Sequence, residues 1–251
     1  MIGGGNRSSQ LIQALLSTAK LSAKDYIVVL PMATQEPDTA YYYIKIQLEK
    51  ACRNTIANLN FTKKDTSNTK WLDSLQHAKL IFITGGDQSR FMNIVRHTPI
   101  QQAILKAYNN GATVAGTSAG AALMSSHMIT GNHLLGDTTY HETFTELRND
   151  NIEIQHGLGL LTSAIVDQHF IVRSRYNRLL LALAKYPDLA CIGIDEATAI
   201  VVHGKNVKVT GEGQVILFSN PQNLRTTQNG YIKFDDVRMS IYTDGDSFHL
   251  N

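Results

Sequence analysis

Short apolar runs alternate with longer stretches of helical period over most of the chain. Tyr26–Leu30 (YIVVL), Leu80–Ile83 (LIFI) and Ala112–Ala115 (ATVA) are continuous apolar segments, the pattern of parallel strands covered on both faces. The spacing between them predicts helices over Ser8–Lys20, over Asp38–Cys52 with Asp38 as N-cap, after Ser89 to about Arg96, and over Ile100–Tyr108, which Asn109-Asn110-Gly111 stops. Another helix starts near Ala119. Ala164–Val166 reads as a further strand ahead of Asp167-Gln168-His169, with a helix over Val172–Lys185. Alternation of this kind specifies an α/β fold, a mostly parallel sheet with helices on both faces, whose ligands bind beyond the carboxyl ends of the strands. From Ala190 the rhythm shortens. Ala190–Ile194, Thr198–Val202, Val207–Thr210 and Gln214–Phe218 read as strands of an antiparallel C-terminal extension of the same sheet, followed by Tyr231–Phe234 and Val237–Tyr242. Without a linker, repeat or low-complexity stretch, 1–251 reads as a single domain. Gly3–Gly5 reads as a strand-to-helix turn whose preceding strand is reduced to Met1 and Ile2.

Composition narrows the partners. Of 251 residues 43% are hydrophobic and 18% charged, which provides a full-sized core and excludes a disordered chain. A net charge of +2 gives no electrostatic case for nucleic acid. No apolar run reaches the roughly 18–20 residues of a membrane span, so no membrane partner is expected. The opening residues lack the charged and apolar regions of a signal peptide, from which a cytoplasmic location is expected. Cys52 and Cys191 stand far apart without a CxxC partner and read as packed thiols. His127, His133, His141 and His156 show no metal-ligand spacing and read as surface or packing residues; neither metal nor cofactor is expected.

The sharpest chemical signal is Gly116-Thr117-Ser118-Ala119-Gly120, a G-x-S-x-G sequence with a strand before it and a helix after it. In that setting the serine sits on a tight, strained turn and projects its Oγ above the sheet. The amide of Ala119 then points at a developing oxyanion, and the Gly86 amide, from Thr84-Gly85-Gly86-Asp87-Gln88 at another strand end, is the candidate second donor, with Gln88 in reach of substrate. A serine nucleophile needs a base. His169, at the carboxyl end of a predicted strand, is the choice among nine histidines. Asp195-Glu196, at the next strand end, supplies the orienting carboxylate, with Glu196 favoured and Asp195 close behind; Asp137 and Glu142 are weaker candidates. The order Ser, His, Glu departs from the Ser, Asp, His of α/β-hydrolases. Three arginines follow the base: Arg173, Arg175 and Arg178. On a helix Arg175 and Arg178 share a face, and beside a serine nucleophile guanidiniums favour a substrate with free carboxylates.

Gly-Gly-Asp-Gln at 85–88, Gly-Thr-Ser-Ala-Gly-Ala-Ala at 116–122, Asp-Gln-His-Phe with the Arg-x-Arg-x-x-Arg-Leu run at 167–179, and Ile-Asp-Glu-x-Thr-Ala-Ile at 194–200 resemble the cyanophycinases, serine exopeptidases of the group that also holds α-aspartyl dipeptidase. The resemblance spans roughly Ile2 to Phe218. It implies a flavodoxin-like three-layer α/β sandwich related to class I glutamine amidotransferases, commonly a homodimer. It implies as substrate cyanophycin, a poly-aspartate backbone with arginine on each side chain, or a related β-aspartyl peptide. It also implies Ser118, His169 and Glu196 as the triad and Gln88, Asp167, Gln168, Arg173, Arg175 and Arg178 as substrate residues, Asp167 receiving a substrate guanidinium. His127–His156 does not match the family pattern. The rival readings are an α-aspartyl dipeptidase and a ligand-binding module that holds its ligand at the elbow without turnover.

Overall fold

A computed structural model of the protein describes residues 1–136 and 142–250. The chain divides into two compact units, one of Met1 and Arg7–Ala121, the other of Ile2–Asn6 and the residues from Ala122 onward.

The first unit runs α1 (Ser9–Ala19), β1 (Tyr26–Leu30), α2 (Pro37–Glu49), β2 (Thr55–Asn58), α3 (Thr69–Gln76), β3 (Leu80–Ile83), α4 (Gln88–Val95), α5 (Pro99–Asn109), β4 (Thr113–Gly116) and the short α6 (Ala119–Ala122). Its four strands form a parallel sheet in the order β2-β1-β3-β4. The apolar runs that announced β1 and β3 are its core: Ile27 to Leu30 and Leu80 to Ile83 are all 0% exposed, each such side chain contributing about 1.5–3 kcal/mol of burial. Helix starts follow local chemistry. Asn68 caps α3, and Asp87 caps α4 by accepting from the amides of Ser89 and Arg90. The expected Asp38 cap is corrected. Pro37 occupies the first turn of α2, where its missing N–H costs nothing, so Asp38 lies inside the helix and Glu36 is the flanking residue. Two elements escaped the pattern. The strand β2 is short and half-exposed, and α3 fully buries only Leu75.

The second unit contains β5 (His127–His133), β6 (Ile152–His156), β7 (Ala164–Gln168), α7 (Tyr176–Lys185), β8 (Ala190–Ile194), β9 (Thr198–His203), β10 (Asn206–Gly211), β11 (Val215–Gln222), β12 (Arg225–Thr226), β13 (Ile232–Lys233), β14 (Asp236–Tyr242) and β15 (Ser247–His249). Its main sheet has the order β14-β11-β8-β7, with β7 and β8 parallel and the other pairs antiparallel. The antiparallel strands expected after Ala190 are present, but they do not all extend one sheet. The pair β9 and β10 joins β15 in a separate three-stranded sheet, while β11 returns beside β8. The segment that resisted placement, His127–His156, contains the antiparallel pair β5 and β6. The helix expected from Val172 begins only at Tyr176. The left-handed Ser174 (φ 46) interrupts it, and Asp195 Oδ1 accepts from the amides of Ile171 and Val172. The core gathers Ile165, Phe170, Leu179, Leu183, Cys191 and Ile216 among others. Gly193 makes room for Phe170: a Cβ there would lie 2.2 Å from the ring. Among the described residues no helix is long and apolar enough to cross a membrane.

Candidate active site

Parallel pairing places consecutive strand ends side by side, and it does so twice. In the first unit β3 and β4 are neighbours in register, Ile83 opposite Gly116. The Gly85-Gly86 turn and the Ser118 elbow therefore emerge next to each other. A Cβ on Gly85 would stand 3.2 Å from Cβ of Ser118. Ser118 itself has φ 53, the left-handed backbone of a strained nucleophile turn. The turn is tied by hydrogen bonds that the Gly120 amide donates to the Thr117 carbonyl (2.9 Å) and the Ala121 amide to the Ser118 carbonyl (2.8 Å). Its flanking residues must be glycines. A Cβ on Gly116 would meet the Gly120 carbonyl oxygen at 2.2 Å, and one on Gly120 the Ile83 oxygen at 2.4 Å. Gly86 (φ 136) is exposed and lies against Ala33, while Gln88 is buried in the first turn of α4. A cavity of about 540 Å³ beside this edge is lined by Met32, Thr34, Asn60, Asp87 and Arg90 among others.

In the second unit β7 and β8 pair with Gln168 opposite Ile194, so His169 and the Asp195-Glu196 turn leave the sheet together. His169 Nδ1 lies 2.5 Å from Glu196 Oε1. An ionised carboxylate only accepts, so Nδ1 carries the hydrogen and Nε2 is the basic nitrogen. This separates the two acidic candidates: Glu196 meets the imidazole, and Asp195 holds the backbone that follows it. His169 is 8% exposed and its φ is 48. Burial lowers its pKa below the ordinary value of 6.5, the Glu196 hydrogen bond opposes that shift, and the nearby charges of Arg173 and Arg175 reinforce it. The imidazole is therefore neutral at neutral pH, as a general base must be.

The run that follows divides into buried and accessible groups. Asp167 is 1% exposed, accepts from Nε of Arg178 at 2.6 Å, and also pairs with the Arg178 Nη2. Arg175 Nη1 donates to the carbonyl and to Oε1 of Gln168, both at 2.7 Å. Arg175 and Arg178 do share a face, but it is an inward one, and each is 2% exposed. Arg173 is different. It lies ahead of the helix, its side chain is 34% exposed, and it pairs loosely with Glu142 at 3.4 Å. Three other candidate histidines, all described, pack or face solvent. His127 stacks on Tyr186, His133 is buried on Phe144, and His156 is exposed. Asp137 and His141 lie outside the described residues. Among the described residues no group of three or more His, Cys, Asp or Glu could hold a metal ion.

Sequence reading missed the part that Gly3-Gly4-Gly5 plays. It is not a bare turn: Ile2 bridges Ala199, and the His169 amide donates to the Gly3 carbonyl at 2.7 Å. Three successive glycines at a strained position were the available signal.

Residues 1–210 match the family described as Peptidase family S51. The chain is 33% identical over 238 residues to a cyanophycinase of Nostoc sp. (strain PCC 7120), covering 91% of this chain and 76% of that one. It is 31% identical over 233 residues to a cyanophycinase of Geminocystis herdmanii, covering 89% and 82%. A crystal structure of a peptidase from an acI-B1 Actinobacterium superposes with a TM-score of 0.70 at 20% identity, covering 99% and 95% of the two chains. A putative peptidase E from Listeria monocytogenes EGD-e shares the fold at a TM-score of 0.54 and 17% identity, covering 82% and 96%. With the α/β architecture, the serine elbow and the histidine–glutamate pair, these matches establish that the chain belongs to peptidase family S51 and is a serine-type peptidase of the cyanophycinase-like kind.

Proposed function

We propose that the protein is an exopeptidase that hydrolyses the aspartate backbone of cyanophycin, or of related β-aspartyl-arginine peptides, through an acyl-enzyme on Ser118. The observation that carries this reading is the buried His169 held by Glu196 through Nδ1, which leaves a neutral imidazole with Nε2 as its proton acceptor. In the proposed cycle Ser118 Oγ attacks the scissile carbonyl as His169 takes its proton. The amides of Gly86 and Ala119 hold the oxyanion, each such donor typically being worth about 3–4 kcal/mol. The imidazolium, stabilised by Glu196, protonates the leaving amine. Water then repeats the sequence on the acyl-enzyme and frees Ser118.

The family match runs through both compact units, which supports treating the chain as one peptidase domain. Substrate specificity is carried here by Gln88 and by Arg173, whose half-open guanidinium suits a substrate carboxylate. Asp167, Gln168, Arg175 and Arg178 were expected to touch substrate. Their mutual hydrogen bonds and burial support a different share of the work, holding the strand end that presents His169. A homodimer in the cytoplasm completes the proposal, carried by family resemblance.

The test is incubation of the purified protein with cyanophycin and a panel of α- and β-aspartyl dipeptides, with products read by mass spectrometry. Release of β-Asp-Arg is expected. Cleavage of Asp-X dipeptides with cyanophycin untouched selects the dipeptidase. Labelling of Ser118 by a fluorophosphonate, lost in His169→Ala, is expected; its absence together with absent turnover selects the binding module.

A further inference from the structure

We propose that Gly3-Gly4-Gly5 is a positioning cradle for the catalytic base and its carboxylate, and that side chains are excluded there because the backbone occupies the surface of the His169–Glu196 pair. The inference rests on the reading of His169 as the base. All the residues concerned belong to one compact unit.

Each glycine has its own reason. A Cβ on Gly4 would lie 2.2 Å from Cε1, 2.4 Å from Nε2 and 2.8 Å from Nδ1 of His169, so the Gly4 backbone lies directly on the imidazole, alongside the nitrogen that accepts the serine proton. A Cβ on Gly5 would lie 2.7 Å from both Cβ and Oε2 of Glu196. One on Gly3 would lie 2.1 Å from the Asp195 carbonyl oxygen. Gly4 and Gly5 also have φ of 116 and 67, which disfavour any L side chain. The run is tied down by hydrogen bonds to the two loops it covers. The His169 amide donates to the Gly3 carbonyl (2.7 Å), the Ala197 amide donates to the Gly4 carbonyl (3.0 Å), and the Gly3 amide donates to the Thr198 carbonyl (2.9 Å). His169 and Ala197 are themselves left-handed, at φ 48 and 51. The two strained residues, His169 itself and the one after Glu196, are thus both anchored to this one segment, which fixes the separation of imidazole and carboxylate from a third direction.

Gly4→Ala and Gly5→Ala test this, with Gly204→Ala as control. Gly204 has φ 58 and nothing within 4 Å of a built Cβ, so it reports generic backbone strain. The readout is the titration of the His169 imidazole by NMR in isotope-labelled protein, assigned by loss of the signal in His169→Gln, alongside kcat/KM. Both cradle variants are expected to move the His169 titration by about half a unit or more and to lower kcat/KM by about 100-fold, the cost of a misplacement near 1 Å; Gly204→Ala moves neither. In a Glu196→Gln background Gly5→Ala should cost less than about 3-fold more, because the carboxylate–imidazole interaction it disturbs has already been weakened. If Gly4→Ala does not fold, Gly5→Ala carries the test, since its added methyl meets a single glutamate side chain rather than backbone. An unchanged His169 titration in the folded cradle variants overturns the proposal. A shifted titration in a protein without peptidase activity retains the cradle and rejects the peptidase reading.

Discussion

Ser118 and His169 are both non-glycine residues held at positive φ, and both follow the last residues of a parallel strand. Such backbone costs on the order of 1–3 kcal/mol and persists where the surroundings over-determine it. Replacing the hydroxyl leaves that backbone in place. Ser118→Ala is expected to reduce kcat by about 1,000-fold or more while changing unfolding free energy by less than about 0.5 kcal/mol, measured by turnover and urea denaturation. For His169 the sign of the pH dependence follows from burial. Only the neutral imidazole accepts a proton, and burial lowers its pKa, so kcat/KM should fall on an acid limb centred below pH 6.5. Glu196→Gln replaces the carboxylate that raises this pKa by a neutral amide; the limb should move to still lower pH while kcat drops. A limb above 6.5 would contradict the burial argument. The same shift links to stability: folding favours the neutral ring, so its contribution is present above the unfolded value and lost as pH falls through the folded one.

Among the elements, those with strong patterns were legible. The apolar runs of β1, β3 and β8 and the stop signal after α5 gave their positions within a residue or two, because a doubly covered strand or a glycine stop is written locally. The strands β2 and β6 and the helix α3 were not, since half-exposed residues dilute the period on which recognition depends, and neither was β5, whose run is broken by Gly131, Asn132 and two histidines. The start of α7 was misplaced because Asp195, distant in sequence, claims the amides of Ile171 and Val172. The strand β7 and this helix are joined by the buried pair of Asp167 and Arg178. Removing one partner of a buried pair leaves a stranded charge, so Arg178→Ala should lose about 3–5 kcal/mol of stability, and Asp167→Leu with Arg178→Met should recover most of it; chemical denaturation measures both. Arg173→Ala, by contrast, should leave stability nearly intact and raise KM for substrates carrying free carboxylates, with little change for neutral esters. Equal effects on both substrate types would remove Arg173 from recognition.

At the scale of the whole molecule, the family match over 1–210 takes in residues of both compact units. The proposed homodimer predicts a sedimentation mass near twice 27.7 kDa at micromolar protein; a monomer across that range rejects it. The amino-acid order alone determined the serine elbow, the histidine and acidic residues at strand ends, and the apolar strands that precede them, since each is encoded within a few consecutive residues. Tertiary structure decided the rest. It chose Glu196 over Asp195 for the imidazole, turned Asp167, Arg175 and Arg178 inward, and laid Gly3–Gly5 on His169 and Glu196. Those outcomes depend on contacts between residues far apart in the chain, where burial and hydrogen bonding, rather than local pattern, select the partner.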